Sequence, residues 1–253
     1  MTHPALLAFH DVADVVGDRL RATTDRGLSG RRVGQYQLDV DTDGEAVALL
    51  HAAGYAVLSE ESGRTGPDGA DLVVMDPVDG STNASRGVPW YATALCLVDD
   101  EGPLVALVAN QASGERFSAV RGDGAWHSAG RARGRRRLRA SGLTDVGTAI
   151  VGISGAPGDA YGWAQFRALG ASALDLCLVA AGTLDGFVDM SADAHGVWDY
   201  LAATLICHEA GAVVADAHGR DLVALDHRAR RTPVAAATPD LLATLTAVRR
   251  RTP

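Results

Sequence analysis

The stretch that most constrains this chain is LVVMDPVDGSTN, Leu72 to Asn83. An apolar, β-branched run reads as a buried strand. It ends on two aspartates three residues apart, and a Gly-Ser-Thr follows. Like charges that close repel unless a cation or a proton lies between them. Strand ends in layered α/β folds open onto clefts, where ligands bind. A second strand-like run, YAVLS, ends in the same way on Glu60 and Glu61. Carboxylates alone suit a hard cation, Mg²⁺ or Mn²⁺, better than zinc. Pro77 bends the chain and removes a donor, which leaves the Val78 carbonyl free to face a metal. Gly80, Ser81 and Thr82 are read as opening a helix whose free N–H groups meet an anion in the same cleft. Two ions roughly 3.5–4 Å apart in such a place clamp the attacking and leaving oxygens of a phosphate ester.

Around this centre the periodicity predicts alternating elements. Leu6, Phe9, Val12, Val16 and Leu20 mark a first helix over residues 5–22. Residues 24–34 are rich in Gly and Arg and read as a loop. A second helix is placed after Asp43, through EAVALLHAAG, with Gly54 as its stop. From Tyr91 to Arg139 the runs ATALCLV, LVALVAN and ERFSAV, parted by DDEG and ASG, predict an antiparallel meander. Beyond Thr144, AIVGIS, DGFVDM, AVVAD and PVAAA read as strands. SALDLCLVAAG, WDYLAATLICHEAG and PDLLATLTAVRR read as helices. The chain is therefore divided into an α+β part, residues 1–145, with most of the candidate metal ligands, and an α/β part, residues 146–253. Asp199 opens the helix WDYLAATLICHEAG, either as a plain N-cap or as a further metal ligand.

Charge and cysteine content narrow the function classes. The 253 residues carry 31 Asp+Glu against 23 Lys+Arg, a net charge of −8. That excess opposes sequence-independent nucleic-acid binding. No apolar run reaches the ~20 residues of a membrane helix, and the first residues do not read as a signal peptide. GRARGRRRLRA, residues 130–140, reads as a solvated hairpin end, with an anionic partner as the alternative. Cys96, Cys177 and Cys207 form no CxxC pair and predict reduced thiols in a cytoplasmic protein. Trp90, Tyr91, Trp126 and Trp163 are placed in the core, and His208 in packing or at the surface. Asp175 either approaches substrate or an interface, or faces solvent. Asp39, Asp41, Asp43 and Gly44 match the start of a calcium loop, but its twelfth position is Leu50, where a bidentate Glu is needed.

The order SEES, DPVDGSTN, WDYLAATLICHEAGA resembles the inositol monophosphatase superfamily, whose pattern joins an E-E-S, a D-P-[ILV]-D-G-[TS]-x-N and a later W-D with E-A-G. AVRGDGAW and GASALDLCLVAAGTLDGFVD extend the likeness over residues 32–238. The resemblance implies a layered αβαβα sandwich of the α/β (α+β) class and a Mg²⁺-dependent phosphomonoesterase. By similarity Glu60, Asp76 and the Val78 carbonyl hold one Mg²⁺, and Asp76, Asp79 and Asp199 a second, with Glu60 reaching a weaker third. Mn²⁺ is a possible substitute. A metal-activated water, oriented by Glu60 and the Ser81 hydroxyl, would be the nucleophile, with Asp43 supporting that hydroxyl. Gly80 and Ser81 N–H groups would hold the phosphate. Asp189, Ser172, Arg32 and His195 would meet the substrate.

The chain departs from the pattern at four places. Ser81 stands where Thr is commoner, Arg32 where Lys is frequent, and Asp189 where a Glu often contacts substrate hydroxyls. The spacer MSADAHGV, with His195, is about two residues longer. The substrate implied by default is inositol monophosphate. Histidinol phosphate, fructose 1,6-bisphosphate and 3′-phosphoadenosine nucleotides stay open, as does a non-catalytic metal-binding or regulatory protein. A homodimer and inhibition by Li⁺ are implied by the resemblance only.

Overall fold

The computed structural model describes residues 3–31, 35–131, 134–157 and 161–251. The chain opens with α1 (Pro4–Ala22) and α2 (Gln37–Ala52). An eight-stranded sheet follows, made of β1 (Ala56–Ser59), β2 (Gly63–Thr65), β3 (Leu72–Asp79), β4 (Ala92–Asp99), β5 (Gly102–Asn110), β6 (Arg116–Val120), β7 (Gly124–Ser128) and β8 (Arg135–Arg137). The short α3 (Ser81–Arg86) links β3 to β4. The second sheet has β9 (Ile150–Ser154), β10 (Gln165–Arg167), β11 (Gly186–Asp189), β12 (Val213–Asp216) and β13 (Pro233–Ala236). With them come α4 (Ser172–Ala180), α5 (Leu201–Glu209) and α6 (Pro239–Arg251).

Strand order is β2-β1-β3-β4-β5-β6-β7-β8 in the first sheet and β10-β9-β11-β13-β12 in the second. From β4 to β8 every neighbouring pair is antiparallel, which is the meander expected over residues 91–139, and β3 pairs antiparallel with β4 as well. The period-two alternation of strands builds the layers. Val73, Met75, Leu95, Leu97, Val105 and Leu107 point to one core, shared with Leu6, Phe9, Val12 and Val16 of α1 and Leu38 and Leu50 of α2. Leu72, Val74, Ala94, Cys96, Ala106 and Val108 point the other way, onto α4 and α5. Phe187 and Ala235 of the second sheet close that same core from beyond the helices. Val151, Ile153, Val188 and Val234 face α6. The result is the layered αβαβα sandwich, with α4 and α5 as the shared middle layer.

Two local expectations need correction. The second helix starts at Gln37, not after Asp43, so the calcium-loop aspartates lie inside a helix. Leu38, Thr42, Ala46 and Leu50 are all buried and sit four apart. That stripe outweighs the weak helix propensity of Asp and Gly. Asp39 also caps the start, accepting the Tyr36 N–H at 2.9 Å. The strand at Val73 continues to Asp79 instead of ending at Met75. Proline inside a central strand is accommodated by a bulge, which places Pro77 and Val78 opposite the single residue Thr93. The Thr93 hydroxyl donates to the Pro77 carbonyl at 2.9 Å.

β8 is an exposed hairpin edge of three arginines, with Arg135 over the Trp126 ring at 4.6 Å. Trp126 is half-buried rather than core, and His208 is exposed near the end of α5. The three cysteines are buried free thiols. Among the described residues no helix is long and apolar enough to cross a membrane.

Candidate active site

The site forms where β1, β3 and the turn before α5 converge. Glu60 follows β1, and its N–H donates to Met75 O at 3.2 Å, which ties it to β3. Asp76 is 1% exposed and takes the Val78 N–H on Oδ1 at 2.9 Å. Asp199 ends a 3₁₀ turn, Val197–Asp199. It does not cap α5. The Trp198 ring folds back so closely over Gly196 that a Cβ there would lie 2.4 Å from it, and Asp199 accepts the Gly196 N–H at 2.7 Å. One carboxylate oxygen each from Glu60, Asp76 and Asp199 lies within 4.8 Å of the other two. Two segments far apart in sequence thus supply one acidic cluster, buried at Asp76 and half-buried at Glu60 and Asp199.

Asp79 borders this cluster and faces α4. Its oxygens accept Ser172 N–H at 3.2 Å and Ala173 N–H at 2.8 Å, so the N-terminus of α4 neutralises part of its charge. Burial pushes the Glu60, Asp76, Asp79 and Asp199 carboxyls up, and the neighbouring carboxylates add to this. At Asp199 the facing His195 partly opposes the rise. Acids held so close and so dry are stable when ionised only with a cation among them. The all-oxygen donor set fits a hard divalent ion.

After Asp79 the chain turns at Gly80, whose φ of +83° is left-handed. A Cβ there would lie 3.0 Å from Ala171 Cβ and from Gly170 O, and 3.1 Å from Trp90 O. Glycine is therefore required by both conformation and space. Asn83 Nδ2 donates to Trp90 O and to Leu169 O, each at 2.8 Å, which clamps α3 to the loop before α4. Ser81 opens α3 beside this junction.

Several expected site residues sit differently. Asp43 is buried two turns into α2 and takes the Ser59 hydroxyl, not that of Ser81, because the helix starts earlier than the sequence suggested. Asp39, one turn nearer the N-terminus, is the α2 carboxylate whose charge raises Glu60 and Asp76. Asp189 is fully buried, with Ser191 N–H on Oδ1 at 2.8 Å and His195 Nδ1 at 2.9 Å from Oδ2, so it meets a ligand only through His195. Asp175 neither faces solvent nor lies at a surface. It is buried, accepts Trp90 Nε1–H at 2.8 Å, and burial pushes its carboxyl up to about 7. Arg32 lies outside the described residues. Sequence reasoning missed His227, which donates from Nε2 to Glu60 O at 3.0 Å and stacks on Trp198 with ring centroids 4.7 Å apart. No motif marks it, since it sits in the irregular run between β12 and β13.

The family model described as the inositol monophosphatase family matches residues 48–252. An inositol-1-monophosphatase of Mesorhizobium japonicum is 32% identical over 207 residues, 74% of this chain and 74% of that protein. The Nus factor SuhB of Pasteurella multocida is 30% identical over 239 residues, 87% of this chain and 86% of that one. The crystal structure of the extragenic suppressor protein SuhB from Bartonella henselae superposes with a TM-score of 0.81 at 25% identity, covering 98% of this chain and 99% of that one. Fold and family together define a phosphoric monoester hydrolase. The chain belongs to the inositol monophosphatase family.

Proposed function

We propose that this chain hydrolyses the phosphomonoester of a small polyol or sugar, with inositol monophosphate as the default substrate, and that it depends on Mg²⁺. The observation that carries this reading is the convergence of Glu60, Asp76 and Asp199 within 4.8 Å, with Asp76 buried and the other two half-buried. Those three residues, with Asp79 and the carbonyl of Val78 in the bulge, would hold two or three Mg²⁺ ions, or Mn²⁺ in their place. The chemistry such ions supply is acidification of a water and offset of the charge that builds on the leaving oxygen. Glu60 and the Ser81 hydroxyl orient the attacking water. The Gly80 and Ser81 N–H groups, at the left-handed turn that opens α3, hold the phosphate. Asp39 supports this end of the site in place of Asp43. Ser172 and His195 meet the alcohol part of the substrate, and Asp189 acts behind His195. The protein works as a cytoplasmic homodimer.

Phosphate release from polyol, sugar, amino-alcohol and nucleotide monophosphates, with Mg²⁺ and then with chelator, tests this. Polyol or sugar esters should be the best substrates, and chelator should abolish their turnover. Asp76→Asn should cost orders of magnitude in kcat with the fold intact. Wild-type turnover in that variant removes Asp76 from the site. A chain that binds Mg²⁺ but releases no phosphate from any ester favours the regulatory reading, which the relatives named Nus factor SuhB keep in play.

A further inference from the structure

Ser172, His195 and Asp189 form one continuous hydrogen-bonded chain. His195 Nε2 lies 2.7 Å from Ser172 Oγ, and His195 Nδ1 lies 2.9 Å from Asp189 Oδ2. The three residues are 8%, 7% and 0% exposed. A carboxylate on Nδ1 fixes a proton there, so Nε2 is the ring atom that exchanges a proton with the hydroxyl. The His195 backbone is pinned on both sides. Its N–H donates to Arg231 O at 3.3 Å, and its carbonyl accepts Arg231 N–H at 2.9 Å.

The chain of bonds ends beside the phosphate position. Ser172 is the first residue of α4, its N–H is on Asp79, and the preceding Gly170 and Ala171 close over Gly80. Asp79 and Asn83 already anchor this end of α4, through Ala173 N–H and Leu169 O. The Ser-His-Asp arrangement is therefore not needed to hold the helix.

We propose that these residues are a proton relay to the leaving oxygen of the ester, a role that rests on the phosphatase reading above. As the P–O bond to the alcohol breaks, the leaving oxygen takes the Ser172 Oγ proton. Oγ takes the Nε2 proton of the His195 imidazolium. The alcohol departs neutral, Ser172 is restored, and the ring becomes neutral imidazole. His195 regains a proton from solvent, which receives the one the attacking water gives up. Asp189 stays ionised and stabilises the imidazolium. Ser172 is the catalytic residue, and His195 and Asp189 act through it. Burial alone lowers the His195 pKa. The Asp189 hydrogen bond opposes this and favours the charged ring, as do the charges of Asp199, Asp189 and Asp79. Where a cation offsets Asp199 and Asp79, the Asp189 hydrogen bond at 2.9 Å is what holds the proton on the ring.

An alkyl alkoxide needs that proton, whereas p-nitrophenolate leaves without one. The test is kcat of the Mg²⁺-loaded protein on glycerol 2-phosphate and on p-nitrophenyl phosphate. Ser172→Ala and His195→Gln should each lose about a hundredfold on the alkyl ester, and at least about tenfold less on the aryl ester. Ser172→Thr should restore most of the alkyl-ester rate. Asp189→Asn should move the alkaline limb of the alkyl-ester profile to lower pH, because the imidazolium loses its counter-charge. Equal losses on both esters in folded variants, or no loss on the alkyl ester, overturn the relay. If Ser172→Ala does not fold, His195→Gln makes the same comparison. Wild-type protein inert toward both esters overturns the phosphatase reading and the relay with it. Active wild type with equal losses overturns the relay alone.

Discussion

Removing one charge from the acidic cluster should make the metal-free protein more stable while destroying its response to metal. Asp76 has oxygens from Glu60 and Asp199 within 4.8 Å. Two unit charges at that distance repel by about 3.5 kcal/mol at an effective dielectric near 20. Two such neighbours set an upper figure of about 7 kcal/mol, and a proton shared within the cluster removes roughly half of it. Asparagine keeps the size of the side chain and the oxygen that accepts Val78 N–H at 2.9 Å. Asp76→Asn should therefore gain about 3 kcal/mol without metal, a rise in Tm of about 6–12 °C for a chain of this length.

The sign depends on pH. The carboxyls of Glu60, Asp76 and Asp199 are raised in the folded state. Their contribution to stability is thus fully present below the ordinary carboxylate pKa of about 4 and is lost as pH rises through the raised values. The gain from Asp76→Asn should be largest at pH 8 and should vanish near pH 4. Thermal unfolding followed by circular dichroism, in chelator at both pH values and then with added Mg²⁺, reads all of this. Wild type should regain stability on Mg²⁺ addition, because an ion that binds only the folded state stabilises it. The variant should respond far less. If Asp76→Asn in chelator at pH 8 melts at or below wild type, the three carboxylates are not crowded together, and the argument for a cation site fails.

Three further outcomes follow from single positions. Gly80→Ala forces a left-handed φ of +83° on a residue with a Cβ and drives that Cβ against Gly170 O, Trp90 O and Ala171; strain and overpacking together should cost about 2–4 kcal/mol in urea unfolding. An unchanged urea midpoint would mean that the α3–α4 junction opens freely. Asp175→Asn should flatten the loss of stability between about pH 4 and pH 7, since burial raises this carboxyl to about 7 and its ionisation opposes folding. The Trp90 bond survives in the variant, so a slope identical to wild type would place the titrating group elsewhere. Ser81→Thr keeps the hydroxyl and restricts its rotamer, so turnover should hold or rise; a severe loss would show that Ser81 does more than orient water.

What was legible in the sequence was what is local. The apolar runs along Leu72–Met75 and Ala92–Val98 marked the strands, though not which face each residue takes, and the spacing in Leu6–Leu20 marked α1. DPVDGSTN carried its meaning within eight residues because a bulge, a left-handed glycine and a short helix are near-neighbour effects. Register was harder to read. Asp39 and Asp43 are one helical turn apart and chemically identical, and only the burial of Leu38, Thr42, Ala46 and Leu50 decides which of them approaches Glu60. Least legible were pairings made across the fold. Asp189 ends a strand, as Asp79 does, yet Asp79 borders the acidic cluster while Asp189 is sealed behind His195. The difference lies in the loop of residues 190–196. Asp193 there adopts a left-handed φ of +46° and pairs with Arg220 at 2.7 Å, and the loop folds back so that His195 lies between Asp189 and Ser172. A spacer longer by about two residues is thus more than a departure from a pattern. It is the extra length of chain that places an imidazole between Asp189 and Ser172 and seals the Asp189 carboxylate behind it.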